Sequence, residues 1–320
     1  MDFVTTDEQL KKACSAVTVD LSLDSVQSFL VEAESDFIRI IGGAAKDELK
    51  AHGDHLAMEY IRAASVSLAL AEYSSSGALL IQDSGMHVSK SDHLLPASDK
   101  KIVAFKRDSY RRGWEFFEKC ISQMEADTAA FPNWKVSVER ERYMQLFVDF
   151  SFEFDMYSKV KITADLFQRM RSEIRKVEVD IIAPVLGSSV FTELKSKKNN
   201  GGLAGIWQEL MERVLRVLGP LSVSEALPYQ MVEVAANGVY QLSEMALSST
   251  SDNIEQRNMV QQRVMASVMN RLITEGEAEL ERLRKWLNKH IGDFPGYIQQ
   301  SIAPMADIND GLEDSNIYFL

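Results

Sequence analysis

Two acidic pairs recur along this chain. Glu34 and Asp36 open the run E-S-D-F-I-R-I-I-G-G, and Glu178 and Asp180 open E-V-D-I-I-A-P-V-L-G. Paired carboxylates can serve as acid and base or hold a hard cation when further ligands converge on them. The polar face of a helix used twice explains the same residues without any chemistry. His52-Gly53-Asp54-His55 offers His-x-x-His, but no further ligand stands at metal spacing and Cys14 and Cys120 do not supply one. That segment reads as a solvated loop or helix start. Asp83 near His87 could form an acid–base pair, yet a turn aspartate bonding its own backbone is the commoner use of such a residue. No G-x-x-x-x-G-K-[ST], G-x-G-x-x-G or G-x-S-x-G is present. No catalytic residue, metal ligand or cofactor is therefore assigned. The enzymatic alternative is a hydrolase or metal enzyme built from scattered carboxylates. A deep pocket joining Glu34, Asp36 and a histidine would mark it.

The carboxylates belong to a larger repetition. Each acidic run ends in Gly and is followed by Glu-Leu-Lys, at 48–50 and again at 193–195. Each half later carries Phe-Pro, in Phe131-Pro132-Asn133-Trp134 and Phe294-Pro295-Gly296-Tyr297. Ordered landmarks of this kind point to duplication of one unit. Gly43 and Gly187 are the expected equivalents.

Spacing supplies the elements that would carry these residues. Val26, Phe29, Leu30, Ala33, Phe37 and Ile41 mark one helical face over 25–41, stopped by Gly42-Gly43. A second helix is expected over 54–73, long helices over 99–129 and 254–291, and further helices over 137–158 and 163–182. Pro184 should kink or end the last of these. Around Asp83-Ser84-Gly85 and Asn237-Gly238 the period shortens, which predicts a small β-hairpin in each half. The fold class expected is mainly α: two duplicated helical-bundle units, each with a hairpin. The expected divisions are a lead-in at 1–24, one unit at 25–158, a second at 159–303 and an extended tail at 304–320.

Composition narrows the partners. Hydrophobic residues make up 46% and charged residues 26%, the balance of a soluble globular protein. A net charge of -12 argues against sequence-independent binding of nucleic acid, which needs clustered Lys and Arg. The amino terminus has no basic segment followed by an apolar run, and no apolar stretch approaches the roughly 20 residues of a membrane span. The chain is thus expected in the cytoplasm, or in a particle assembled there. Two segments read as interaction sites. Lys195, Lys197 and Lys198 lie in a Lys-, Asn- and Gly-rich run over 195–202 that predicts a flexible loop. Ile317, Tyr318, Phe319 and Leu320 form an apolar tip after an acidic spacer, suited to docking on another chain by strand addition or into a groove.

The stretches E-A-E-S-D-F-I-R-I-I-G-G (32–43), A-L-A-E-Y-S-S-S-G-A-L-L-I-Q-D-S-G-M-H (69–87), R-R-G-W-E-F-F-E (111–118), F-P-N-W (131–134) and V-E-V-D-I-I-A-P-V-L-G (177–187) resemble a family of uncharacterised virion proteins of tailed phages and gut prophages. The family's Pro before the apolar pair and Gly stands here as Pro184, but Ile40 replaces it in the first copy. The resemblance implies a helical head–tail connector, a ring of twelve subunits docked beneath a portal against tail or other ring proteins, with no catalytic residues and no membrane. DNA would pass without sequence-specific binding, and an acidic channel would keep it from sticking. Its locations would be the virion and, during assembly, the host cytoplasm. The non-enzymatic alternative is a cytoplasmic helical interaction module unrelated to virions.

Overall fold

The computed structural model describes residues 2–13, 21–76, 79–82, 85–88, 99–230, 232–235, 238–241 and 252–299. Its architecture is mainly α. The first half opens with α1 (Asp7–Ala13), α2 (Leu23–Ala51) and α3 (Leu56–Ser76). In α2, Val26, Leu30, Ala33, Phe37, Ile41, Ala45 and Leu49 follow steps of three and four, and all are buried. That stripe, rather than intrinsic propensity, is what holds the helix on the core. Gly42 adopts φ 82° and ψ 163° inside it. The expected stop at Gly42-Gly43 is therefore a kink: one glycine takes the left-handed conformation and the chain resumes helical geometry at once.

Leu79–Gln82 (β1) pairs antiparallel with Gly85–Val88 (β2), leading to the long helix α4 (Asp99–Ala126). α4 lies against α3, and α3 against α2. Phe37 stacks on Phe117 with ring centroids 4.5 Å apart, and Trp114 meets both edge-on. α5 (Pro132–Lys135) closes this core with Phe131 and Trp134, both fully buried.

The expected helix over 137–158 is two short ones, α6 (Val138–Tyr143) and α7 (Ser151–Asp155), flanking an irregular stretch. Next come α8 (Ala164–Val177), a π-helical turn (Glu178–Ile182), α9 (Ala183–Leu186) and α10 (Ser188–Asn199). The Ala183 amide reaches back five residues to the Glu178 carbonyl. Pro184, lacking an N–H, cannot bond the Asp180 carbonyl, so the regular ladder loses a rung beside the wide turn. α11 (Ile206–Gln230) and α12 (Asp252–Lys289) pack together, joined through the antiparallel strands β3 (Val232–Ala235) and β4 (Gly238–Gln241).

Packing divides the chain differently from the expected boundaries. Phe3 is 1% exposed and Val4 fully buried, so 1–24 is not a free lead-in: Phe3 joins the first core, and Val4 packs with Leu10, Val26 and Leu30. Leu146, Phe147, Val148 and Phe154 belong to the core of the second half, not the first. Nor is 195–202 a loop throughout. Its first five residues complete α10, because Leu194 and the side chains of Lys195 and Lys198 are drawn into the protein. Residues 317–320 lie outside the described residues.

Candidate functional site

The densest polar chemistry gathers on the irregular stretch 143–151, where the two halves meet. Backbone groups outside regular structure need partners when buried, and here side chains from four elements supply them. Lys195 of α10 donates to the Gln145 carbonyl at 2.5 Å and to Glu178 Oε2 at 2.5 Å, with its ammonium 3.9 Å from the Phe147 ring centroid. Glu178 in turn accepts the Phe147 amide. Lys198 donates to the Leu146 carbonyl at 2.8 Å and pairs with Asp149. Arg171 of α8 donates to the Tyr143 and Asp149 carbonyls and stacks its guanidinium on the Tyr143 ring. Asp149 Oδ1 is buried without a hydrogen-bond partner.

Across the junction, Glu118 of α4 accepts the Ser151 amide at 3.1 Å and the Ser151 hydroxyl at 2.6 Å. It also accepts Gln168 Nε2 at 3.3 Å, and Gln168 bonds the Tyr143 hydroxyl as well. Burial pushes the Glu118 carboxyl up to about 7, against the pull of these hydrogen bonds and of Arg171. Burial likewise holds the Lys195 ammonium down to about 8 and raises Glu178, each moderated by the other's charge. Glu118 and Ser151 open on a cavity of about 410 Å³ that Tyr60, Lys119 and Lys161 also line. The arrangement ties down backbone: donors and acceptors are spent on the chain's own carbonyls and amides.

The two recurring glutamates do the same work. Glu34 is 2% exposed and accepts the amides of Asp2, Phe3 and Val4 at 2.5–3.1 Å. Glu178, also 2% exposed, holds Phe147 of the matching Phe-Val pair, 147–148. Asp36 pairs at the surface with Arg39. No described histidine joins Glu34 and Asp36. His55 lies beside Asp127, its Nε2 3.5 Å from a carboxylate oxygen, and both His52 and His55 meet the Phe131 ring edge-on. Among the described residues no group of three or more His, Cys, Asp or Glu could hold a metal ion, and no helix is long and apolar enough to cross a membrane.

The three lysines named from sequence separate. Lys195 and Lys198 face inward, whereas Lys197 pairs with Glu193 and lies over the Trp207 ring. The residues sequence reasoning passed over are Glu118, Ser151, Asp149, Tyr143 and Arg171. One signal existed for Glu118: it falls four residues after Trp114 and three before Ile121, a charge on an apolar stripe.

A separate groove of about 610 Å³ lies in the second half between the π-turn with α9, α11 and α12. Its lining is mostly apolar, including Val185, Leu221, Ile273 and Leu280, with Asp180, Glu277 and Arg284 among its polar groups.

No curated protein and no solved structure matches the chain. One family model does, and it matches twice, over residues 28–144 and over 182–303. Those segments make up most of the sequence, so the chain belongs to the family of unknown function DUF6712.

Proposed function

We propose that this protein is a structural subunit of a tailed-phage virion, a head–tail connector built from two copies of one helical unit. In this reading twelve chains form a ring beneath the portal, meet tail or other ring proteins on the far side, and surround a channel through which DNA passes. The virion part of the reading is supported by the sequence resemblance over 32–43, 69–87, 111–118, 131–134 and 177–187. A net charge of -12 suits a channel wall that must not hold DNA.

The observation that carries the two-unit part is a contact made twice. Gly113 in α4 lets Leu68 of α3 approach so closely that an added Cβ would stand 2.6 Å from Leu68 Cδ2. Gly276 in α12 does the same for Leu221 of α11, at 2.4 Å. Further pairs agree. Gly42 (φ 82°, ψ 163°) matches Gly187 (φ 76°, ψ 153°). Trp134 Nε1 donates to Glu125, nine residues back, and Tyr297 Oη donates to Asn288, nine residues back. The equivalence is Gly42 with Gly187, not Gly43 with Gly187. Glu34 to Gly42 is eight residues, Glu178 to Gly187 is nine, and the π-turn absorbs the extra one. The buried set then runs in step, with Ile41, Ala45 and Leu49 answering Leu186, Val190 and Leu194. On this reading the units begin near Asp2 and near Leu146.

Removing the gene from the phage or prophage that carries it tests the function. DNA-filled heads without attached tails are the expected result. Normal, infective virions would overturn the proposal.

A further inference from the structure

We infer that an arginine-lined cavity at the junction of the two halves docks the acidic segment 307–314 of a neighbouring copy of this chain. The inference rests on the ring reading above and names one contact by which the ring would hold.

The cavity, of about 420 Å³, lies where α2, α6 and α8 converge on Trp114 of α4. Arg39 of α2, Arg142 of α6, and Arg169 and Arg171 of α8 all line it, against a single carboxylate, Glu139. In a chain of net charge -12 this is a local surplus of three positive charges. Little within the described chain offsets it. Arg39 pairs with Asp36, three residues back on its own helix, at 3.1 Å, and Arg169 with Asp165, four residues back, at 3.3 Å. Solvated pairs of that kind contribute little. Arg171 spends its guanidinium on the Tyr143 and Asp149 carbonyls, which carry no net charge. Arg142 is exposed, and its side chain has neither an ion pair nor a hydrogen bond among the described residues. Glu139 packs against Gly42 and forms no ion pair with any of the four among the described residues.

Guanidinium groups gathered in this way suit carboxylates, which each can bind through two parallel hydrogen bonds. The sequence supplies a complementary segment. Asp307, Asp310, Glu313 and Asp314 stand within eight residues, and no Lys or Arg occurs from 290 to 320 to neutralise them. This segment lies outside the described residues. The four arginine side chains have no hydrogen bond or ion pair beyond those named, which leaves their charge for a segment of another copy. A contact between the middle of one chain and the end of the next is heterologous, and such contacts build rings when their rotation closes. Added salt should weaken it, since the charges meet near solvent.

Charge reversal on each side, read by native mass at low salt, tests the pairing. Arg39 and Arg142 are both exposed, so Arg39→Glu with Arg142→Glu leaves the cores untouched. This variant should melt as the parent does, and the concentration at which it assembles should rise about tenfold or more, because like charges now face each other. Asp310→Arg with Glu313→Arg should have the same effect. The chain carrying all four substitutions should assemble again. Parent-like assembly in either double variant, or no recovery in the fourfold variant, would overturn the contact and leave the ring. Reversals that lower the melting temperature of the single chain without changing assembly would place the segment on its own chain and overturn the contact too. A parent chain that stays at single-chain mass at every concentration would overturn both the contact and the ring.

Discussion

At Gly219 the α11 backbone runs so near Tyr157 that an added Cβ would stand 2.2 Å from its carbonyl oxygen and 2.5 Å from its carbonyl carbon. Backbone cannot step aside as the end of a side chain can. Gly219→Ala should therefore cost about 3 kcal/mol or more, the upper range for overpacking. Gly43, with nothing within 4 Å of its notional Cβ and a place in the helix that resumes after the Gly42 kink, is the opposite case. Gly43→Ala should gain roughly 0.5–1 kcal/mol by helix propensity. Thermal unfolding of the two variants beside the parent checks both signs. Glu118 gives a residue-scale pH dependence. Its carboxyl titrates near 7 folded, against an ordinary 4.5. The folded state thus holds a proton that the unfolded state has lost between those values, and this group's contribution to stability falls as pH rises through that window. Glu118→Gln keeps an acceptor for Ser151 and removes the buried charge. It should raise stability at pH 8 by up to about 3 kcal/mol and change little at pH 4.5. Equal effects at both pH values would contradict the assignment.

At the scale of elements, the proposed duplication makes the π-turn the place where one extra residue is absorbed. Deleting the exposed Val179 would restore the eight-residue spacing of Glu34 to Gly42, leaving Glu178 and Gly187 each in place. The variant should fold with unchanged helix content by circular dichroism and lose no more than about 2 kcal/mol. Deleting Thr192 in α10 instead rotates Leu194 and Lys195 off the core, and that variant should not fold cooperatively. The first part of α2 and the long helices α3, α4 and α12 were legible in the sequence because each has a sustained apolar stripe. The breakdown of the expected helix over 137–158 was not legible, because it depends on Lys195, Lys198, Arg171 and Glu118, all distant in sequence, capturing its backbone groups. The same captures turned a supposed lysine loop into a helix end. Side-chain-to-backbone bonds across twenty to fifty residues leave no periodicity to read. Of the candidate site, Glu34 and Glu178 were visible as a recurrence, and Lys195 and Lys198 were singled out only as parts of a supposed loop. The role of the two glutamates as acceptors for a Phe-Val segment required the fold.

For the whole molecule, the proposed duplication and the proposed ring make a joint demand. In the proposed ring each chain brings two units, so units that lie side by side around it give twice as many lobes as chains. The most direct test is the rotational order in averaged images of the purified assembly, set against the chain count from its native mass. The account predicts closed rings whose lobes number twice the chains. Single chains, or closed two-fold dimers with no repeating lobe, would contradict it.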